Sequence, residues 1–223
     1  MSNGIVIVGA GECGARTALA LGDLGHDGPV TLIGAEALPP YDRPPLSKQL
    51  LCGDETTPVT WIADEARLAA ASIERVQAEV TAIDRTARTV TAAGTALPYD
   101  RLLIATGARP RTLGVEGILY LRSMADCLAL RGRINAGTRL IVVGGGFLGL
   151  EIAASAQKRG AAVTVLETQP RLMQRGVPAE IAEVIASRHR AAGVAIHCGV
   201  AITAIEPTRV VLGDGTQLEA DLV

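Results

Sequence analysis

This chain is written twice, and that repetition limits what it can fold into more than any other feature. In the first copy the aliphatic run Ile5–Val8 leads into Gly9-Ala-Gly11-Glu-Cys-Gly14. An Ala/Leu-rich stretch from Ala15 to Leu24 follows, then a second aliphatic run, Pro29–Ile33, closed by Glu36. In the second copy Leu140–Val143 leads into Gly144-Gly-Gly146-Phe-Leu-Gly149, then Leu150 to Arg159, then Ala162–Leu166, closed by Glu167. Short aliphatic runs read as buried parallel strands, and the stretches between them as crossover helices. The likeness extends into two hairpin arms. Arg88–Gly94 and Thr95–Asp100 match Arg209–Gly215 and Thr216–Asp221, with Gly94 on Gly215, Leu97 on Leu218 and Asp100 on Asp221 and no gap. The first copy continues through the strand Arg101–Ala105 to Thr106-Gly107, whereas the second reaches Leu222-Val223, still inside the matching strand. A central strand that stops part-way leaves backbone groups without ladder partners. The expectation is therefore a chain that is truncated, or completed by another segment.

The glycine loops give the repeat a chemical meaning. In GxGxxG the first glycine makes the tight turn out of the strand, and the second lets a pyrophosphate approach backbone N–H groups. The third lets helix and strand pack closely, and the helix N-terminus faces the phosphates with its partial positive charge. A single such loop is a weak motif in a chain with 25 glycines. Here each copy follows an aliphatic strand, opens a helix and has a carboxylate roughly 20 residues onward to accept a ribose hydroxyl. Two dinucleotide cradles on one chain point to a flavin and a nicotinamide placed for hydride transfer. The predicted fold class is α/β, with tandem Rossmann-like FAD/NAD(P)-binding domains that resemble the glutathione-reductase type. Each is a parallel sheet with an antiparallel β-meander, and the C-terminal part is missing. Residues 1–112 form an FAD-binding half-domain and residues 113–223 an NAD-binding domain, joined near Gly114–Gly117. Glu167 stands where a binder of the 2′-phosphate would place a basic residue and favours NADH. Arg171 and Arg175 lie nearby and read equally as solvated positions on a helix face.

Composition removes other classes. A formal charge of −2 over 223 residues argues against nucleic acid as the main partner. Aromatic residues at 2% are too few for a base-stacking platform. Hydrophobic residues at 48% with charged residues at 20% describe a chain able to bury a core rather than a disordered one. No apolar run reaches the roughly 20 residues a bilayer requires, and no basic leader precedes Ile5, so neither a membrane partner nor secretion is expected. Cys13, Cys52, Cys127 and Cys198 are scattered, form no CxxC and meet no histidine in a zinc spacing. No metal site is expected, and reduced thiols in a cytoplasmic protein are the simplest reading.

The segment Pro40-Tyr-Asp-Arg-Pro-Pro-Leu-Ser-Lys48 resembles the FAD-dependent ferredoxin reductases of the pyridine nucleotide-disulfide oxidoreductase superfamily. So do Val8–Gly14, Ala105-Thr-Gly107, Leu121-Arg-Ser123 and Glu167-Thr-Gln-Pro-Arg-Leu-Met173. Within that family the likeness is to reductase components of aromatic-ring-hydroxylating dioxygenases. It implies that Gly9, Gly11 and Gly14 take the FAD pyrophosphate, Glu36 the adenosine ribose and Val80 the adenine. Arg43 would lie near the pyrophosphate and Lys48 near the isoalloxazine, with Ala105, Thr106, Gly107 and Arg122 completing the flavin contacts. Gly144, Gly146, Phe147, Leu148, Gly149, Glu151 and Glu167 would line the NADH site. Phe147 stands where that family more often has a smaller aliphatic residue, and Cys13 and Cys52 where other small residues are usual.

The same resemblance implies that Lys48 pairs with Glu151 beside the flavin, where an ammonium favours the negative charge of the reduced ring. Disulfide reductases of the superfamily carry a CxxxxC pair after the first βαβ. YDRPPLSK stands there instead, so electrons would leave to an outside iron–sulfur protein, a ferredoxin. The function expected is an NADH:ferredoxin oxidoreductase, or its N-terminal portion. Two alternatives are weighed beside it: a non-catalytic nucleotide-binding module, and a single-cysteine oxidase or peroxidase using Cys52. Cys52-Gly53 resembles the latter enzymes, but the cysteine falls late after the first strand.

Overall fold

The computed structural model describes residues 4–223, and every element below lies among them. The chain runs β1 (Ile5–Val8), α1 (Glu12–Asp23) and β2 (Val30–Gly34). A 3-10 turn (Pro44–Ser47), α2 (Gln49–Cys52) and α3 (Glu65–Ala70) follow. Then come β3 (Ile73–Gln77), β4 (Val80–Asp84), β5 (Thr89–Ala92), β6 (Thr95–Pro98) and β7 (Arg101–Ile104). The second half carries α4 (Met124–Arg133), β8 (Arg139–Val143), α5 (Phe147–Lys158), β9 (Ala162–Glu167) and α6 (Ala179–Ala191). It finishes with β10 (Ala195–Cys198), β11 (Ile202–Glu206), β12 (Arg209–Leu212) and β13 (Gln217–Glu219).

Two compact units result. One comprises the residues up to Asp42 with Val59–Arg109; the other comprises Arg43–Pro58 with Pro110–Val223. In the first, β3-β2-β1-β7 form a parallel sheet and β4-β5-β6 an antiparallel meander. The alternation of side chains along β1 decides what each face covers. Ile7 packs with Leu32 of β2 against Ala15, Ala18 and Leu19 of α1, while Val6 and Val8 pack with Ile33, Val90 and Tyr99 on the meander side. Helix α1 can lie close because its inner stripe is Gly14, Ala15, Ala18 and Leu19. In the second unit β10-β9-β8 are parallel, β11-β12-β13 make the equivalent meander, and Ile141, Leu166, Val210, Leu212 and Val223 share a core. Leu222 makes a parallel bridge to Leu140 of β8, as β7 pairs in parallel with β1 in the first unit.

The division differs from a single boundary at 112/113, because Arg43–Pro58 packs with the second unit. The Arg131 guanidinium donates to the carbonyls of Leu50 (3.3 Å) and Asp54 (2.8 Å). Arg159 reaches Gly53 O at 2.7 Å, and Ser155 Oγ donates to Ser47 O at 2.6 Å. The arginine bonds satisfy carbonyls in and just beyond α2 that lack intrahelical partners, and the Ser155 bond satisfies one at the end of the 3-10 turn before it. They come from residues some eighty to a hundred positions away, which no local reading of the segment contains.

The aligned aspartates prove equivalent in geometry. Asp100 Oδ2 accepts from Gly4 N at 3.2 Å while Asp100 N donates to Gly4 O at 2.9 Å. Asp221 Oδ2 accepts from Arg139 N at 2.8 Å while Asp221 N donates to Arg139 O at 2.8 Å. Each pins the first residues of its glycine-loop strand. Asp221 also takes the Arg139 guanidinium at 2.7 Å, and the side-chain and backbone hydrogen bonds from Arg139 hold its carboxyl down at about 2. A carboxyl depressed in the folded state stabilises the fold above its ordinary value, near 3.8, and loses that contribution as pH falls through about 2. Carboxylate NMR of Asp221 is therefore expected to titrate near about 2, and Arg139→Met to raise its midpoint toward 3.8.

Candidate functional site

In the first unit the chain leaves β1 through Gly9 at φ +114°, which only glycine holds without strain. A Cβ there would sit 2.2 Å from Ala105 O and 3.0 Å from Thr106 N, so the loop lies directly against the Ala105-Thr106 backbone beyond β7. A Cβ on Gly14 would fall 1.9 Å from Gly9 O, which fixes how tightly α1 closes on the strand. Gly11 differs: it is the N-cap of α1, no side chain caps it, and a Cβ there would meet nothing within 4 Å. The first turn of α1 is thus uncapped and has open space beside Gly11, as a phosphate cradle requires. Glu36 lies two residues past the end of β2 and accepts from Tyr41 Oη at 2.5 Å. Val80 opens β4 and packs on the cluster of Val8 and Ile33. Gly107 takes a left-handed turn at φ +69°.

The second unit repeats the device. Gly144 turns at φ +112°, a Cβ on Gly149 would fall 2.1 Å from Gly144 O, and Gly146 is an uncapped N-cap beside open space. The loop borders a largely apolar cavity of about 550 Å³ lined by Val143, Gly144, Gly146, Phe147, Leu148 and Tyr120 among others. That volume is in the range of small-ligand pockets. Phe147, the first residue of α5, is 60% exposed, and its ring edge lies against Gly176.

One difference separates the cradles. Val8 pairs with Ile33 and Val143 with Leu166, so Glu167 occupies the register of Gly34, not that of Glu36. The expectation of one carboxylate at the end of each second strand holds for Glu167, the last residue of β9, and is corrected for Glu36. The contact beneath is inverted to match. Ala10 sets its methyl over Gly34, where a Cβ would lie 2.5 Å away; Gly145, without a methyl, leaves room for the Glu167 side chain. Glu167 then accepts from Gly145 N at 2.8 Å and from Gln169 N at 2.7 Å. Oε1 also takes Thr168 Oγ1 at 3.4 Å; a carboxylate has about four acceptor positions, so capacity toward a ribose remains on Oε2. Arg171 and Arg175 lie in the turns after β9, not on a helix, and Arg171 donates to Leu172 O and Gln174 O.

Between Arg43 and Pro58 the second unit carries its charged group. Lys48 Nζ lies 2.8 Å from Glu151 Oε1 and 3.1 Å from Pro44 O. Ser47 Oγ donates to Glu151 Oε2 at 2.5 Å. Burial pushes the Glu151 carboxyl up, but the hydrogen bonds from Lys48 and Ser47 and the charge of Lys48 outweigh it and leave it below the ordinary range. The Glu151 carboxyl therefore stays ionised through neutral pH, and acid weakens the pair by protonating it. Arg43 donates to Arg122 O at 2.6 Å, and Arg122 precedes the capping box that Ser123 and Asp126 form on α4. Ser47, Tyr41, Ser155 and Gln169 went unassigned in the sequence. The spacing of Glu151 and Ser155, one helical turn apart, was the trace that could have linked both to Ser47.

All four cysteines are free; Cys127 is buried with its thiol on Leu46 O at 3.2 Å, and Cys52 ends α2. Among the described residues no cluster of His, Cys, Asp and Glu could hold a metal ion, and no helix is long and apolar enough to cross a membrane.

The pyridine nucleotide-disulphide oxidoreductase family profile matches residues 3–223. The chain belongs to that family. Among its pyridine nucleotide-disulphide oxidoreductase relatives, the ferredoxin–NAD(+) reductase component of the anthranilate 1,2-dioxygenase system of Burkholderia cepacia is 41% identical over 97% of this chain and 54% of its own length. Putidaredoxin reductase of Pseudomonas putida is 37% identical over 100% of this chain and 57% of its own length. The solved ferredoxin reductase for the CYP199A2 system of Rhodopseudomonas palustris superposes at TM-score 0.93 with 38% identity, covering 100% of this chain and 58% of that one. A covalent putidaredoxin reductase–putidaredoxin complex gives TM-score 0.93 at 36% identity, with the same coverage. The chain spans about half the length of the curated relatives it matches.

Proposed function

We propose that this chain is the FAD- and NADH-binding portion of an NADH:ferredoxin oxidoreductase serving an oxygenase of aromatic substrates in the cytoplasm. The observation that carries the reading is the repetition of one open cradle, with Gly11 and Gly146 each capping a helix beside free space. Both cradles fit a pyrophosphate: uncapped N–H groups, room for the phosphates and a carboxylate at the rim. Gly9, Gly11, Gly14, Glu36, Val80, Ala105, Thr106 and Gly107 are the residues assigned to FAD, and the family resemblance adds Arg43, Lys48 and Arg122. Gly144, Gly146, Phe147, Leu148, Gly149, Glu151 and Glu167 are assigned to NADH. FAD, when bound, supplies a carrier that accepts two electrons together and releases them singly. Lys48 holds positive charge for that group, and Glu151 holds Lys48. The relatives named as ferredoxin–NAD(+) reductase components support a ferredoxin as the acceptor.

Reconstitution tests this directly. With FAD supplied in excess, the purified chain is expected to bind it weakly and to speed its bleaching by NADH without air, and ferricyanide restores the colour. Cys52→Ser is expected to leave both steps unchanged and to gain no peroxide dependence. Retention of neither coenzyme would overturn the reading, and loss of bleaching in Cys52→Ser would favour thiol chemistry instead.

A further inference from the structure

We infer that Ser47 is the positioning residue of the Lys48–Glu151 pair: its buried hydroxyl fixes one carboxylate oxygen so that the other meets the Lys48 ammonium. The inference rests on the proposed function for its consequence, but not for its geometry. Lys48 and Glu151 keep 47% and 33% of their side-chain surface exposed. Pairs exposed to that degree are ordinarily weak, because two long side chains must be ordered against screening water. Glutamate adds a terminal torsion that is broad rather than confined to narrow wells. Something else must hold the carboxylate, and Ser47 meets the need. Its residue is only 3% exposed, and its Oγ–Oε2 distance of 2.5 Å is that of a strong hydroxyl–carboxylate bond.

The donor is itself held. Ser155, 5% exposed and one turn along α5 from Glu151, donates to Ser47 O at 2.6 Å, so a single helix face grips Ser47 by both hydroxyl and carbonyl. Lys48 follows Ser47 in sequence and is anchored at Pro44 O as well. Beyond it, Arg131 and Arg159 bind the carbonyls of Leu50, Gly53 and Asp54, which keeps the whole segment against α4 and α5. Ser47 thus converts a half-exposed ion pair into one of fixed direction.

The test is a titration of the Glu151 carboxylate by carbon NMR on the chain alone, assigned with Glu151→Gln. Ser47→Ala and Lys48→Met are each expected to move its midpoint upward. The double variant should move it by less than the sum of the two shifts, because loosening the carboxylate already weakens its bond to the ammonium. No movement in Ser47→Ala, or shifts that simply add, would overturn the assignment. Should the alanine chain lose its fold, Ser47→Cys, close in volume and a weak donor, carries the same comparison. The readout needs neither coenzyme. A chain that shows the coupled shifts yet binds neither FAD nor NADH would sink the proposed function and leave Ser47 in its role. A chain that binds and bleaches but shows no coupling would do the reverse.

Discussion

Gly149→Ala is expected to lower the melting temperature by roughly 2–8 °C, while Gly146→Ala, three residues earlier on the same loop, changes it little and instead weakens NADH binding. The contrast comes from what each added methyl meets. At Gly149 it would lie 2.1 Å from Gly144 O and 3.2 Å from a Val142 methyl, so α5 must be pushed off its strand. Overpacking of that kind costs about 1–3 kcal/mol, and here the obstacle is backbone, which cannot swing aside. The better helix propensity of alanine, worth about 1 kcal/mol, recovers only part. At Gly146 the backbone is extended, φ −83° and ψ −175°, which any residue adopts, and the methyl enters empty space. The loss of a glycine N-cap is the one stability cost, about 1 kcal/mol or less. The methyl does stand where a pyrophosphate must approach the N–H groups, and calorimetry with NADH should register at least about a tenfold weakening. A Gly146→Ala chain that binds NADH normally would remove the pyrophosphate from this loop. Gly14→Ala and Gly11→Ala should divide in the same way, read with FAD, since the corresponding methyls meet Gly9 O at 1.9 Å and nothing.

Lys48→Met should slow NADH-driven reduction of the reconstituted flavin on the order of tenfold to a hundredfold in stopped flow, with the chain still folded and yellow. Methionine keeps the length and removes the charge that favours arriving electrons. It also leaves Glu151 without its ammonium, so a neutral pair becomes a single negative charge. Lys48→Arg should recover part of the rate, because charge survives while the geometry to Glu151 Oε1 does not. A methionine variant reduced as fast as the parent would remove Lys48 from the electron path. Acid gives an independent check. The Glu151 carboxyl is held below its ordinary range, so the contribution of the pair persists above that range and falls only as pH drops through the depressed value. Rates in the parent should hold through neutral pH and decline in acid, and the Met variant should lack that limb.

The double βαβ plan was legible because its signs are local. Aliphatic runs, glycine loops and the gapless match of Asp100 to Asp221 all lie within short windows, and the structure gives each pair the same hydrogen bonds. Strand register was not legible. That Glu167 sits opposite Val143's neighbour while Glu36 lies beyond the sheet depends on which residue pairs with which, and a one-residue slip exchanges faces. The excursion of Arg43–Pro58 was hidden for another reason: Arg131 and Arg159 hold it, and nothing in the segment names them. Ser47 was quoted within Pro-Pro-Leu-Ser-Lys, but a serine in a proline turn reads as turn chemistry. Only α5, folded beside it, supplies the carboxylate.

The inverted contact of Ala10 on Gly34 and Glu167 over Gly145 has an evolutionary corollary. Giving position 34 a side chain drives it into Ala10, and giving position 145 a methyl drives Leu172 and Glu167 aside. Position 34 can take a side chain only after position 10 has given up its methyl, and position 145 a methyl only after Leu172 and Glu167 have withdrawn, so the order of substitutions is constrained. Such paired contacts act as a ratchet on the order of change, so the two cradles of a tandem resist converging on one form.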